Sequence, residues 1–233
     1  MESLLEWARG PFFWAALSFM VLGLTRRLGL TLWGMHVVLR RAGDKKIPYG
    51  KLAMATLAWV FPVGTLKSRT IFGLTNLLFH VATLAPPVFL AGHIVLWRRG
   101  LGISWPALPA PAADCLTALA VVTAAALVAQ RVLARDTRAL SRLQDYLLPL
   151  FIAVPFVSGF LVKHPSCNFL PYELLLLVHV ASSNVLIILI PLTKLSHCVL
   201  LPETQFVSEL AWHWPPDAGR RVGAELGKEN EAI

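Results

Sequence analysis

Long apolar runs, separated by short clusters of basic residues and prolines, constrain this sequence more than any other feature. Crossing a bilayer takes about 20 mostly apolar residues in an α-helix. Of the 233 residues, 56% are hydrophobic and only 15% are charged, unlike a soluble domain. Five runs qualify, the first from Pro11 to about Thr25 with its pattern continuing to Leu32, and the others at about Ile71–Trp97, Ala112–Val132, Tyr146–Val162 and Tyr172–Leu201. The sequence therefore predicts an all-α integral membrane bundle of five transmembrane helices.

The segments outside these runs are too short or too polar to cross. Leu52–Phe61 is apolar but short and is followed by a proline and a glycine, a pattern typical of a short interfacial helix between the first and second spans. After residue 201 the composition becomes polar, with a tryptophan-rich cluster at 212–216. We expect residues 1–201 to form the membrane domain and residues 202–233 a cytoplasmic tail that docks a partner, although a disordered end fits the same composition.

Basic residues indicate which side of the membrane each end occupies. Lys and Arg in short loops are retained on the cytoplasmic side. Sixteen of the 21 lie at 26–69, at 131–142 or after residue 201, whereas only four lie on the opposite side. Orientation in the membrane therefore explains the net charge of +8 better than nucleic-acid binding does. We expect the N-terminus outside and the C-terminus in the cytoplasm, with no removable signal peptide, because the first twenty residues lack a basic n-region followed by a cleavage site.

The three cysteines limit the redox chemistry of the chain. No Cys-x-x-Cys-His motif is present, which excludes covalent c-type haem, so any haem would be b-type. Cys115 and Cys167 both fall at the predicted outer face, where an oxidising compartment allows a disulfide. Isolated cysteines are more often small packing residues, which is the interpretation we favour. Since the sequence also lacks a cysteine cluster and a glycine-rich nucleotide motif, partner subunits would supply the other redox centres.

Four histidines lie within the apolar runs, His80 and His93 in the second and His179 and His197 in the fifth. Ionisable side chains at membrane depth are costly and usually functional, and imidazole binds haem iron axially. His179 and His197 are 18 residues apart, five full turns of an ideal helix, so both rings would leave the same face. With the two helices antiparallel, we predict two haem b groups, an outer one held by His93 and His179 and an inner one held by His80 and His197.

The two histidines of the second span do not share a face on an ideal helix. Thirteen residues at about 100° each place His80 and His93 about 140° apart. Pro86 and Pro87 lie between them, and prolines in a transmembrane helix remove backbone hydrogen bonds and permit kinks. We expect this proline pair to re-aim His93 toward the fifth span. The other histidines, at positions 36, 164 and 213, fall outside the spans and are expected to be solvated.

These motifs resemble the membrane gamma subunit of respiratory nitrate reductase and, more closely, its relatives in the redox complexes of sulfate-reducing bacteria. The resemblance covers essentially the five spans. It is carried by Phe79-His80, Gly92-His93, His179, Lys194-Leu195-Ser196-His197, the segment 102–109 and Pro171-Tyr172-Glu173. In nitrate reductase subunits the last histidine pair has this spacing and a basic residue three positions before the second histidine, as Lys194 is here. The histidines of the second span are more widely spaced here than in nitrate reductase.

Such similarity implies a cytochrome b of a bacterial inner membrane that transfers electrons between the quinone pool, usually menaquinone, and a cytoplasmic iron-sulfur subunit. The segments 102–109 and 171–173 resemble the subgroup paired with heterodisulfide-reductase-like iron-sulfur subunits and multihaem cytochromes c, and other membrane subunits are expected in the complex. Two alternatives remain. One is an electron conduit that takes electrons from an extracytoplasmic multihaem cytochrome c and has no quinone site; the other is a haem-free scaffold or transporter whose histidines bond neighbouring helices.

Polar residues at the outer end are candidates for a quinone site. A quinone requires an apolar groove and a group that exchanges protons. The candidates are Gly92, Arg98, Arg99 and Glu173, with Glu173 exchanging the proton and an arginine polarising a carbonyl. The arginines equally suit interfacial anchors, and Glu173 equally suits a helix N-terminus.

Three further residues are candidates for contacts with haem. Lys194 and Arg69 are placed to pair with the propionates of the inner haem, because paired charge lowers the cost of holding carboxylates near the membrane. Both equally fit an ordinary basic boundary. Asn184, between the ligands of the fifth span, is expected to donate to a backbone carbonyl or to a porphyrin edge.

Overall fold

The computed structural model describes residues 1–41, 49–60, 69–211 and 223–227, and no strand occurs in these ranges. The α-helices are α1 (Glu2–Arg9), α2 (Pro11–Arg41), α3 (Tyr49–Val60), α4 (Thr70–Phe89), α5 (Ala91–Leu101), α6 (Ala110–Leu133), α7 (Arg135–Leu140), α8 (Leu143–Lys163), α9 (Tyr172–Leu192) and α10 (His197–Ala211). Single 3₁₀ turns occupy Pro165–Cys167 and Lys194–Ser196. The described chain is therefore all-helical, as predicted.

Among the described residues, five helical segments are long and apolar enough to cross a membrane, which indicates a multi-pass membrane protein. They are Glu2–Val37, Thr70–Phe89, Ala110–Leu133, Leu143–Lys163 and Tyr172–Leu192. Their apolar side chains face outward as well as inward, since Ile71 is 78% exposed and Leu133 is 80% exposed. Soluble proteins rarely present such large apolar surfaces to water. The prediction of five apolar helices is confirmed, whereas the side of the membrane on which each end lies stays a prediction.

The N-terminal region is more helical than predicted. The first span runs through α2 to Arg41, well beyond the predicted end, because Arg and Leu are good helix formers whether or not they face lipid. A separate helix, α1, precedes it and ends at Gly10, whose N–H donates to Glu6 O. Across this junction Trp7 stacks on Phe12 with ring centres 4.9 Å apart. By itself α1 is too short and too polar to be predicted as a span, although the candidate membrane segment Glu2–Val37 includes it.

The second span is interrupted, which corrects the prediction of one helix over Ile71–Trp97. It forms α4 and α5, separated by Leu90 in an extended conformation (φ −75°, ψ 132°). Pro86 and Pro87 lie in the last turn of α4. A proline cannot donate a backbone hydrogen bond and its ring crowds the preceding turn, so a proline pair weakens the helix at this place.

The fifth span is also interrupted, which corrects the prediction of one helix over Tyr172–Leu201. Pro191 is the next-to-last residue of α9, and Thr193 (φ −123°, ψ −174°) and a 3₁₀ turn separate it from α10. The argument that His179 and His197 share one face of a continuous helix is therefore wrong. The helix resumes at His197 itself and continues past the predicted boundary at residue 201.

The chain forms two compact units, and unit 1 comprises Met1–Ser18 and Gly64–Ile188. In this unit α6 packs against both α4 and α8. Small buried side chains on α6 permit the close approach of its neighbours. They are Ala113, Ala120 and Ala124. The apolar core consists of Phe79, Ala124 and Leu127, against which Phe72, Ile152 and Ala153 pack.

Unit 2 comprises Phe19–Val63 and Leu189–Ile233. Here α3 packs against α10. The predicted short helix after the first span is present as α3, and its interfacial location stays a prediction. The remainder of α2 approaches the end of α9 so closely that a Cβ on Gly23 would lie 2.7 Å from Pro191 Cβ. Glycine at this position therefore permits the contact.

Candidate functional site

Two of the predicted ligands lie side by side in unit 1. The imidazole rings of His93 on α5 and His179 on α9 have centres 6.0 Å apart and planes within 7° of parallel. Both side chains are half-buried. A metal ion binds an imidazole nitrogen at about 2.0–2.1 Å, and the ring centre lies about 1.1 Å beyond that nitrogen, so two imidazoles on opposite sides of one ion have centres about 6.3 Å apart. The observed separation is close to that distance, but the near-parallel rings are also arranged as a stacked pair, and the separation alone does not direct both Nε2 atoms at one ion.

The position of His93 depends on how the interrupted second span satisfies its backbone. A helix end leaves its last four carbonyls without intrahelical donors. In α4 these are the carbonyls of Pro86–Phe89. Pro86 O accepts from Leu90 N–H at 3.0 Å, and Pro87 O accepts from His93 Nδ1–H at 3.2 Å. Val88 O accepts from Trp105 Nε1–H at 3.0 Å, and Phe89 O accepts from Leu108 N–H at 2.9 Å. All four carbonyls are satisfied.

The ring of His179 is held by the neighbouring helix α8. Its Nδ1 lies 2.8 Å from the carbonyl oxygen of Pro155. One turn further along α8, a Cβ on Gly159 would lie 2.8 Å from Cε1 and 2.9 Å from Nδ1 of the His179 ring. A glycine at this position therefore leaves the space that the imidazole occupies.

Hydrogen bonding fixes the tautomer of both rings. A carbonyl oxygen can only accept, so Nδ1 of His93 and Nδ1 of His179 must each carry a proton. In the neutral imidazole the lone pair then lies on Nε2. Metal-binding histidines in proteins show this arrangement, because a carbonyl or carboxylate on one ring nitrogen orients the other and raises its basicity. The outer histidines therefore have the second hydrogen bond that metal-binding histidines commonly show.

The inner histidines show the same tautomer within their own units. His80 Nδ1 lies 2.8 Å from Asn76 O, one turn earlier in α4. His197 Nδ1 contacts Lys194 O in the preceding 3₁₀ turn, and its Nε2 lies 3.9 Å from Cys198 Sγ. His80 belongs to unit 1 and His197 to unit 2. Their pairing at one haem stays a prediction.

The stretch before His197 is held by Arg27, one of the basic residues that indicate the cytoplasmic side. Arg27 donates to Pro191 O at 3.1 Å and to Ser196 Oγ at 2.6 Å. It therefore bridges the end of α9 and the residue just before His197, across the interrupted part of the fifth span. Lys194, the candidate for a haem propionate, is exposed in the same 3₁₀ turn.

Asn184 has a defined partner in unit 1. Its side chain is 1% exposed, and Nδ2 donates to Ala8 O at 2.8 Å. Ala8 is in the last turn of α1, where carbonyls lack intrahelical donors. Of the two expectations for Asn184, the structure thus provides the backbone carbonyl, and this hydrogen bond attaches α1 to α9.

The outer-end candidates for a quinone site are all exposed. Arg98 and Arg99 lie in the last turn of α5, and Glu173 lies in the first turn of α9. A Cβ on Gly92 would meet nothing within 4 Å. Within the described part of the chain, none of the side chains of these arginines and Glu173 makes a hydrogen bond or ion pair with another residue. Arg69, the other propionate candidate, is exposed and directly precedes α4.

The remaining cysteines and histidines lie apart from these sites. Cys115 and Cys167 are both free and exposed. The less favoured disulfide is therefore not formed, and the favoured interpretation of both as buried packing residues is wrong. His36 is exposed, as expected for a solvated side chain. His164 is only half-buried, with Nε2 3.3 Å from a carboxylate oxygen of Asp114. His213 and the cluster at 212–216 lie outside the described residues.

Three residues that contribute to the outer site were not selected from the sequence. They are Trp105, Pro155 and Gly159. Gly159 gave a usable signal, because an isolated glycine in an apolar helix commonly marks a close approach of another helix. Trp105 lies in the segment 102–109, and nothing in its local sequence indicates that it reaches back to Val88 O. Its contact is a consequence of the tertiary fold.

Comparison with known proteins places the chain beside a relative from a sulfate-reducing bacterium. A protein of Nitratidesulfovibrio vulgaris (strain Hildenborough), named only "Protein", is 33% identical over 196 residues, which cover 82% of this chain and 85% of the relative. No family model matches the chain. No solved structure matches it.

Proposed function

This chain belongs to the same family as the Nitratidesulfovibrio vulgaris protein, and we propose that it is the membrane cytochrome b subunit of a multisubunit respiratory oxidoreductase. The observation that carries the proposal is the pair His93 and His179, whose near-parallel rings have centres 6.0 Å apart. Each ring has its Nδ1–H on a backbone carbonyl. Two imidazoles so arranged within apolar helices suit the axial ligands of a b-type haem.

When bound, haem would supply one-electron transfer, because an iron already bound to two histidines has no place for a substrate. The residues of this chain would hold and orient it. His93 and His179 would bind the outer haem, and His80 and His197 the inner one. Lys194 and Arg69 are the candidates to pair with inner propionates.

The positive-inside distribution supports a bacterial inner-membrane protein with its N-terminus outside, its C-terminus in the cytoplasm and α3 at the cytoplasmic interface. On this topology the inner haem lies next to the side on which an iron-sulfur subunit docks. The resemblance to cytochromes b of sulfate-reducer complexes supports a heterodisulfide-reductase-like subunit as that partner, with other membrane subunits and a multihaem cytochrome c in the same assembly. The tail at 202–233 is the proposed docking segment.

We place menaquinone at the outer end, near His93, with Glu173 as the group that exchanges protons and Arg98 or Arg99 polarising a quinone carbonyl. The exposure of all three side chains leaves them accessible to a quinone that diffuses in the membrane. The competing function is a conduit that receives electrons from an extracytoplasmic cytochrome c and has no quinone site.

The test is reduction of the purified protein by a water-soluble menaquinol analogue, followed by the α-band absorbance of b-type haem. We expect reduction in the wild type and slower reduction in Glu173→Gln. Haem that is reduced by dithionite but not by the quinol would favour the conduit. Absence of any b-type absorbance would refute the cytochrome itself and favour the haem-free scaffold.

A further inference from the structure

We propose that Trp105 is a positioning residue for the outer haem, acting through the interrupted second span rather than by contact with the haem. The proposal rests on the proposed function for its haem part. Trp105 lies between α5 and α6, outside any predicted span, and its indole Nε1–H donates to Val88 O at 3.0 Å, 17 residues earlier in the chain.

The need for this hydrogen bond follows from the position of the interruption. α4 ends at Phe89, and each carbonyl that it leaves without an intrahelical donor is stabilised by a donor from elsewhere in the protein. His93 can satisfy only the carbonyls of Pro86 and Pro87, which its Nδ1 reaches at 3.3 and 3.2 Å. The next two carbonyls depend on the connection that contains Trp105.

The connection supplies two donors that act together. Trp105 Nε1–H satisfies the carbonyl of Val88, and Leu108 N–H satisfies that of Phe89 at 2.9 Å. Both bonds hold the segment after α5 against the end of α4. Because α5 lies between these two fixed points, the same bonds restrict the direction in which α5 leaves Leu90.

The direction of α5 determines where His93 points. His93 is the third residue of α5, and its backbone N–H donates to Leu90 O at 2.9 Å. A rotation of the first turn of α5 would move the imidazole away from the His179 ring, which is separately held on Pro155 O. Trp105 therefore keeps the two rings parallel by maintaining the geometry of the interruption.

The test compares Trp105→Phe with Trp97→Phe. The first change removes one N–H donor and keeps an aromatic side chain. The second alters the neighbouring indole, whose ring centre is 6.3 Å from that of Trp105 and which makes no side-chain hydrogen bond in the described chain. Two readouts are needed. Hydrogen exchange of Leu90, His93 and Leu108 amides reports the backbone, and the low-spin electron paramagnetic resonance signal with a redox titration reports the outer haem.

We expect Trp105→Phe to accelerate exchange at these amides about fivefold, the equivalent of one net hydrogen bond. The signal and midpoint potential of the outer haem shift in the same protein, while those of the inner haem do not. The unaltered inner haem shows that the variant has folded. Trp97→Phe leaves both readouts unchanged.

Faster exchange with an unaltered outer-haem signal would overturn the positioning role and leave Trp105 as a cap of α4 alone. Unchanged exchange and an unchanged signal would overturn both parts. A wild-type protein without haem would instead refute the proposed function, and the exchange measurement would still report whether Trp105 caps the helix. The two failures are therefore distinguishable.

Discussion

The Nδ1 hydrogen bonds of His93 and His179 span more of the chain than those of His80 and His197. His80 and His197 bond to carbonyls four and three residues earlier in their own segments. His93 bonds to carbonyls on the far side of a helix interruption, and His179 bonds to a carbonyl of another helix, 24 residues away. Each inner imidazole thus has a hydrogen bond within its own segment, whereas the hydrogen bonds of the outer imidazoles cross a helix interruption or reach another helix.

This difference predicts unequal sensitivity to substitution at a distance. An imidazole held by its own helix turn keeps its orientation while that turn persists. An imidazole held by another element loses its orientation when the packing of that element changes. Substitutions on α8, or in the connection after α5, should therefore disturb the outer pair even though they do not replace a ligand.

The largest effect is expected from Gly159→Ala. The added Cβ would lie 2.8 Å from the His179 ring, and overpacking of this kind costs about 1–3 kcal/mol. The ring must move, so we expect loss of most of the outer haem and retention of the inner haem. Haem per polypeptide, measured as the pyridine haemochrome, reports both.

The matched control for that change is Gly34→Ala, since a Cβ on Gly34 would meet nothing within 4 Å. We expect it to keep both haems. Equal loss of haem in the two variants would mean that the effect comes from alanine in a helix rather than from the His179 contact, and the comparison of the two sites would fail.

Arg27→Ala should act on the inner region, with a smaller effect. It removes a charged donor from Pro191 O and Ser196 Oγ, which we expect to lower the free energy of unfolding by about 1.5 kcal/mol. Thermal denaturation followed by helical circular dichroism measures this. Arg26→Ala is the control, because the side chain of Arg26 makes no hydrogen bond in the described chain. If the two variants have the same melting temperature, Arg27 does not stabilise the interrupted part of the fifth span.

Asn184→Ala should have the smallest effect, about 1 kcal/mol, from loss of the hydrogen bond to Ala8 O. The haem absorbance spectrum should not change, because the amide holds α1. Ser183→Ala is the neighbouring control; its hydroxyl bonds only within its own helix, to His179 O. A shifted haem spectrum in Asn184→Ala alone would restore the porphyrin edge as its partner.

The sequence alone predicted the features that depend on composition and on the local pattern of apolar residues and prolines. Five apolar runs predicted five apolar helices, and the proline pair indicated where the second span is distorted. The residues that hold the outer imidazoles could not be predicted in the same way. Pro155 and Trp105 act through a carbonyl or an indole that reaches another element, and such contacts have no period in the sequence.

The wrong prediction of one continuous helix for the fifth span has the same origin. Five ideal turns between His179 and His197 assumed that helical geometry continues, whereas Pro191 and Thr193 end it. The separation of 18 residues between the two histidines was therefore no evidence that they share a helix face.

The most direct measurement is the haem content of the purified wild type beside His179→Ala, with His36→Ala as the control. Two b-type haems per polypeptide in the wild type and in His36→Ala, and one in His179→Ala, is the result that this account predicts. A wild type without haem, or a His179→Ala protein that retains two, would contradict the assignment of His93 and His179 as axial ligands.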